Sequence, residues 1–177
     1  MSSEAKWVGS GGGPLICVEE RLAHHWLGVD NAIAGDDDGS DYDRACDIGD
    51  FLGKVPLPGA DALILGDEPL QTCVDRTHPE HPSVLRVYYA DPDIDVIRQL
   101  HARGDLDFAN PEEMIEIDVG STPLVIFDAA FPGEDRSVQR LSFDLRPGHY
   151  KVLTKRFEPD ERISVLVHRF VRQEQLI

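Results

Sequence analysis

The hydrophobic positions of this chain fall into short runs separated by glycine and proline, and two of those runs begin alike. Gly9-Ser10-Gly11-Gly12-Gly13-Pro14 opens onto Leu15-Ile16-Cys17-Val18 and then Glu19, while Gly120-Ser121-Thr122-Pro123 opens onto Leu124-Val125-Ile126-Phe127 and then Asp128. A short unbroken apolar run after such a breaker reads as a strand buried on both faces, with proline tolerated at the strand's first residue. Both runs are therefore expected to be central strands.

Around them the pattern predicts further strands at 42–48, 51–57, 62–65 and 84–89, with 70–74 continuing the third or pairing back. Ile115, Ile117 and Val119 alternate with Glu116 and Asp118, and Leu141, Phe143 and Leu145 alternate likewise, as half-exposed strands do. Residues 150–153 and 163–171 complete the strand set, the last with Ile163, Val165, Val167 and Val171 on one face and Leu166 and Phe170 on the other. One clear helix is expected at about 91–103: Asp91 to cap it, Pro92 at its first position, Ile94, Ile97 and Leu100 along one face, and Gly104 to stop it. A turn or two of helix fits 19–26, Trp7 is expected to dock into the core, and 30–40 and 75–82 read as loops.

Short Pro-Gly turns make the strands they join antiparallel neighbours, because a parallel crossover needs about a dozen residues. The fold class expected is α+β, with a mostly antiparallel sheet in a single domain spanning 1–177. The repeated strand order suggests two similar β-rich halves, 7–74 and 115–171, sharing one core.

Composition narrows the function classes. The chain has 33 acids against 17 bases, a formal net charge of -16, which argues against a nucleic-acid binder working through phosphate contacts. No apolar run approaches the ~18 residues of a membrane span, and Met1-Ser2-Ser3-Glu4 lacks a basic-then-apolar start, so a cytoplasmic protein without membrane contact is expected. Cys17, Cys46 and Cys73 lie in or beside predicted strands and read as reduced, buried thiols. The acids crowd together: Asp30, Asp36, Asp37, Asp38, Asp41, Asp43, Asp47 and Asp50 face only Arg44 between 30 and 50. Such a surface steers a basic partner, although solvation alone also accounts for it.

Motifs for chemistry fail on context. The glycine run follows no strand and opens no helix, so it supports neither a dinucleotide fingerprint nor a phosphate loop. Residues 36–41 resemble a calcium loop in composition, but with Gly39 at the sixth place the twelfth would fall on Ala45. His24-His25 and His78-Pro79-Glu80-His81 lack ligand spacing, and Ser10 lacks the glycine two residues before it that a nucleophile elbow needs. No catalytic set, metal or cofactor is expected; a carboxylate hydrolase would require two converging acids with displaced pKa values.

Trp7 with Gly12-Gly13-Pro14-Leu15, Asp41-Tyr42-Asp43-Arg44-Ala45-Cys46, Leu52-Gly53, Ala62-Leu63-Ile64-Leu65-Gly66-Asp67-Glu68-Pro69, Tyr89-Ala90-Asp91 and Pro123 through Ala130 resemble the immunity protein family 21 of bacterial polymorphic toxin systems. The similarity runs from Trp7 to about Phe170, and the blocks around Asp43 and Asp67 are its specific part. It implies an α+β protein that binds and neutralises a cognate protein toxin, and it carries no catalytic residues over. A toxin that attacks nucleic acids tends to be basic, so a basic nuclease is one expected partner for an acidic inhibitor. The expected contact residues are Asp36, Asp37, Asp38, Asp41 and Asp43, with Asp67 and Glu68 next; Asp43, Asp67 and Glu68 also carry a structural reading as ion-pair or turn residues. The alternative is a small-molecule-binding or assembly module of β-rich fold with no toxin partner.

Overall fold

Eleven strands build two antiparallel sheets in the computed structural model, which describes residues 5–30, 39–68, 71–104 and 106–173. In the first sheet the order is β1 (Trp7–Gly9), β5 (Gln71–Asp75), β6 (Ser83–Ala90), β11 (Ile163–Arg172), β10 (Gly148–Asp160) and β7 (Glu113–Val119). The second runs β3 (Leu52–Leu57), β4 (Ala60–Leu65), β2 (Leu15–Glu19), β8 (Leu124–Asp128) and β9 (Leu141–Phe143).

The two-residue period of a strand sends alternate side chains to opposite faces, and here both faces are covered. Leu15, Cys17, Leu63, Leu65, Ile126 and Phe143 of the second sheet meet Val84, Tyr150, Val152 and Phe170 of the first in the core between them. Ile16, Val18, Ile64, Val125 and Phe127 point the other way, against Leu22 and Ala23 of the 3-10 turn Glu20–His25, Trp26, and Ala45 of helix α1 (Asp41–Cys46). On the first sheet's outer side Cys73, Leu85, Phe157, Val165 and Val167 pack with Val96 and Leu100 of helix α2 (Val96–Ala102). The two apolar runs that begin alike are thus adjacent central strands, β2 and β8, every residue of both buried.

Four local expectations are corrected. Residues 42–48 hold helix α1 instead of a strand, because Ser40 and Asp43 form a capping box: Asp43 N donates to Ser40 Oγ at 3.1 Å and Ser40 N to Asp43 Oδ2 at 2.8 Å. The main helix starts at Val96 with Asp95 as its cap, since Asp91 and Asp93 instead accept from Arg162 at 2.7 Å each. The turn 146–148 crosses between sheets, so β9 and β10 are not neighbours, whereas the turns at 58–59 and 160–163 do join antiparallel pairs. Cys17 and Cys73 are buried, but Cys46, at the end of α1, is exposed.

The resemblance between β2 and β8 extends to how they end. Glu19 accepts from Gly120 N at 2.6 Å, Ser121 Oγ at 2.7 Å and Arg21 Nε at 2.7 Å, while Asp128 accepts from Gly11 N at 3.1 Å. Each central strand therefore closes in an acid that ties down the glycine-rich loop from which the other begins. Burial raises the pKa of Glu19, but bonds from Ser121 and Gly120 and the charge of Arg21 outweigh it and hold the carboxyl below its ordinary range. Its contribution is present above the unfolded value of about 4.3 and is lost as pH falls through the lowered folded value. Glu19→Ala is expected to cost about 2–3 kcal/mol in urea unfolding at neutral pH, the range for charge-assisted bonds to a buried carboxylate. A loss under about 0.5 kcal/mol would mean the clasp contributes nothing.

Candidate interaction surface

Helix α1 divides its acids between two duties. Asp41 is 2% exposed; it accepts from Leu27 N at 2.7 Å and pairs with Arg44, which fixes the entry of the helix. Asp43 is exposed, and the backbone and hydroxyl of Ser40 hold its carboxyl below the ordinary range, so it stays charged while capping. The structural reading of Asp43 as an ion-pair residue, with Arg44 or Arg140 as partner, gives way to a cap, and Arg44 pairs with Asp41.

Asp67 and Glu68 follow β4 on the turn begun by Gly66. A side chain there is excluded, since a Cβ on Gly66 would lie 2.6 Å from the Asp50 carbonyl oxygen, and Gly66 N donates to Phe51 O at 3.0 Å. On its other side Gly66 O accepts from the fully buried Arg86 at 2.6 Å. Burial lowers the Arg86 pKa to about 10, against the opposing influence of Tyr88 and Asp67, so the guanidinium remains charged at neutral pH. A buried cation thereby positions the two exposed acids.

These segments meet at a cleft of about 560 Å³. Asp50, Asp67, Glu68, Glu112 and Glu113 line it together with Cys46, Ile48, Phe51 and Tyr88, and among the described residues no lysine or arginine joins the lining. Burial, then the charge of Asp50, raises the Glu113 carboxyl, and a bond from the Leu52 backbone partly offsets this. Glu112 accepts from Arg156 N at 2.9 Å, and the Arg156 guanidinium stacks 4.6 Å from the centre of the Tyr88 ring. At the rim the Cys46 thiol is held above its ordinary range, first by partial burial, then by the charges of Asp67, Asp43 and Asp47 against a bond from Tyr42.

Asp43, Asp67 and Glu68 thus come together around Cys46 and the cleft, whereas Asp41 turns inward, and Asp36, Asp37 and Asp38 lie outside the described residues. The sequence reading passed over Glu112 and Glu113; their signal was a pair of acids opening an alternating strand. Among the described residues no three His, Cys, Asp or Glu side chains are grouped to hold a metal ion, and no helix is long and apolar enough to cross a membrane.

Fold and surface together define an α+β module of two packed antiparallel sheets that presents acids from α1, the turn after β4 and the start of β7 on one side. The chain belongs to the Immunity protein 21 family (Imm21), whose model matches residues 6–163. Comparison with curated proteins and with solved structures gives no match. Membership points to an immunity protein with a non-enzymatic role and implies a protein toxin as its partner.

Proposed function

We propose that this chain is the cytoplasmic immunity protein of a bacterial polymorphic toxin system and neutralises its cognate toxin by stoichiometric binding through the acidic side. The observation that supports this reading is the convergence of Asp50, Asp67, Glu68, Glu112 and Glu113, from three separated segments, on one cleft beside α1. A field of one sign concentrated in a concavity raises the encounter rate with an oppositely charged surface, and a basic nuclease domain is the partner such a field favours. Asp36, Asp37 and Asp38 stand next to α1 in sequence and belong to the same proposed contact set.

The test uses the cognate toxin, sought in the reading frames that neighbour this chain's own. Neutralising Asp67, Glu68 and Glu112 together (D67N, E68Q, E112Q) should slow association about 10-fold or more at low ionic strength, with the difference shrinking near 0.5 M salt as screening sets in. Association rates of variant and wild type that agree at both salt levels would remove steering by this surface. A second reading, a small-molecule-binding module, draws on a larger cleft of about 1170 Å³ lined by Trp7, Val74, Ile97, Leu141 and Arg140. A wild-type chain that ignores the neighbouring toxin would favour it.

A further inference from the structure

Beyond the acidic cleft, the other end of α1 adjoins an apolar patch. Among the described residues five large hydrophobic side chains are exposed, and three of them, Leu27 at 44%, Val29 at 48% and Phe131 at 43%, spring from two backbone segments in direct contact. Val29 N donates to Ala130 O at 3.2 Å, and a Cβ on Gly28 would lie 2.4 Å from that same oxygen, so glycine alone permits the approach. Trp26 Nε1 donates to Ala129 O at 2.8 Å and Gly133 N to Trp26 O at 2.7 Å, locking the second segment to the first. Leu27 N is held by Asp41 at 2.7 Å and Tyr42 N by Gly28 O at 3.1 Å, which fastens both to α1. The patch is preorganised by bonds that need no partner.

Its surroundings carry the charge of the cleft. Asp30 and Glu134 beside these segments and Asp43 on α1 are exposed, and the nearby Arg44 and Arg136 are already paired with Asp41 and Glu20. Scattered exposed apolar residues are ordinary, but a fixed cluster inside a polar rim has the anatomy of an interface centre.

We infer that Leu27, Val29 and Phe131 form the anchor that holds the toxin: they enter an apolar depression on its surface bordered by lysines or arginines, which meet Asp30, Asp43 and Glu134. This rests on the immunity reading and divides the labour within it. The cleft acids set how fast the partners meet, and the apolar anchor sets how slowly they part, because desolvated central contacts govern dissociation while charges act on encounter.

The experiment measures binding of the purified neighbouring toxin to the wild type, to L27S/V29S/F131S, to M114S and to D67N/E68Q/E112Q. Met114 is 48% exposed on β7, so M114S removes one exposed apolar side chain outside the patch. The patch variant should weaken binding about 100-fold, nearly all of it in faster dissociation, with M114S within about 2-fold of wild type. The patch variant should keep a cooperative thermal transition well above the temperature of the binding measurement, since the removed side chains lie outside the buried core. A patch variant within about 3-fold of wild type, while the cleft variant associates slowly, overturns the anchor and leaves the immunity reading standing. Wild type that dimerises through the patch, with toxin binding unchanged when the patch is removed, overturns it in favour of a second copy of this chain. If the wild type does not bind the toxin, both the reading and the anchor fall.

Discussion

Arg86→Ala should destabilise the protein by about 3–5 kcal/mol in urea unfolding, the range for breaking a fully buried charged contact and emptying its space. Arg86 is 0% exposed on β6, pointing between the sheets, and donates to Gly66 O at 2.6 Å. Removing it strips that carbonyl of its donor and opens a void in the core between the sheets. Arg86→Met keeps most of the volume and should recover about half of the loss. The damage should also reach the surface: with Gly66 loosened, Asp67 and Glu68 lose their fixed place, so the methionine variant should bind the toxin more slowly even where it remains folded. An alanine variant that loses less than about 1 kcal/mol would show that the guanidinium is dispensable.

Acid should be the second large perturbation, through His168. This residue is 0% exposed on β11, with Nδ1 2.9 Å from Thr154 Oγ1. Burial, and then the charge of Arg86, drive its pKa well below the ordinary value. In the unfolded chain the imidazole takes up a proton below about pH 6.5, and in the folded chain it does not. The unfolded state then binds more protons, so stability falls as pH drops, by about 1.4 kcal/mol per pH unit until the folded pKa is reached. The loss should accumulate as the pH falls below the unfolded value of about 6.5. His149 acts in the opposite sense: its bond to Asp118 raises its pKa, so its contribution is complete at low pH and fades as pH rises through the raised value. Both proteins retain His149 when wild type is compared with His168→Leu/Thr154→Val, which removes the buried pair together. The double variant should show a pH slope shallower by about one proton's worth below about pH 6.5, measured by urea unfolding at several pH values. Identical slopes would mean that His168 titrates normally in the folded protein.

What was legible in the sequence was what local pattern decides. β2 and β8 were readable because an unbroken apolar run has no solvated face to offer, and β11 because its alternation divides between two apolar layers. Helix α1 was missed because it is only six residues long, so the helical spacing of Tyr42, Ala45 and Ile48 covers too few turns to register, and the helix depends on the Ser40–Asp43 box more than on periodicity. The late start of α2 was hidden by Arg162, which claims Asp91 and Asp93 from about seventy positions away, a competition no window around the helix contains. The acidic side was half visible. Asp43 and Asp67 stood in specific blocks, but their meeting with Glu112 and Glu113 is created by packing β7 of one sheet beside β3 of the other. The patch of Leu27, Val29 and Phe131 had no linear signal at all, because two loops a hundred residues apart make it.

The crossed clasps of Glu19 and Asp128 have a mechanical consequence. The two fastenings lie at opposite ends of the β2–β8 seam, so each glycine loop is held to the end of its neighbour's strand by its own clasp. A force that pulls the two ends of this seam apart must shear β2 along β8, rupturing both fastenings in the same event. In a hydrogen-exchange experiment severing one clasp should accordingly speed exchange of the glycine amide it holds, Gly11 for Asp128 and Gly120 for Glu19, and leave the other protected.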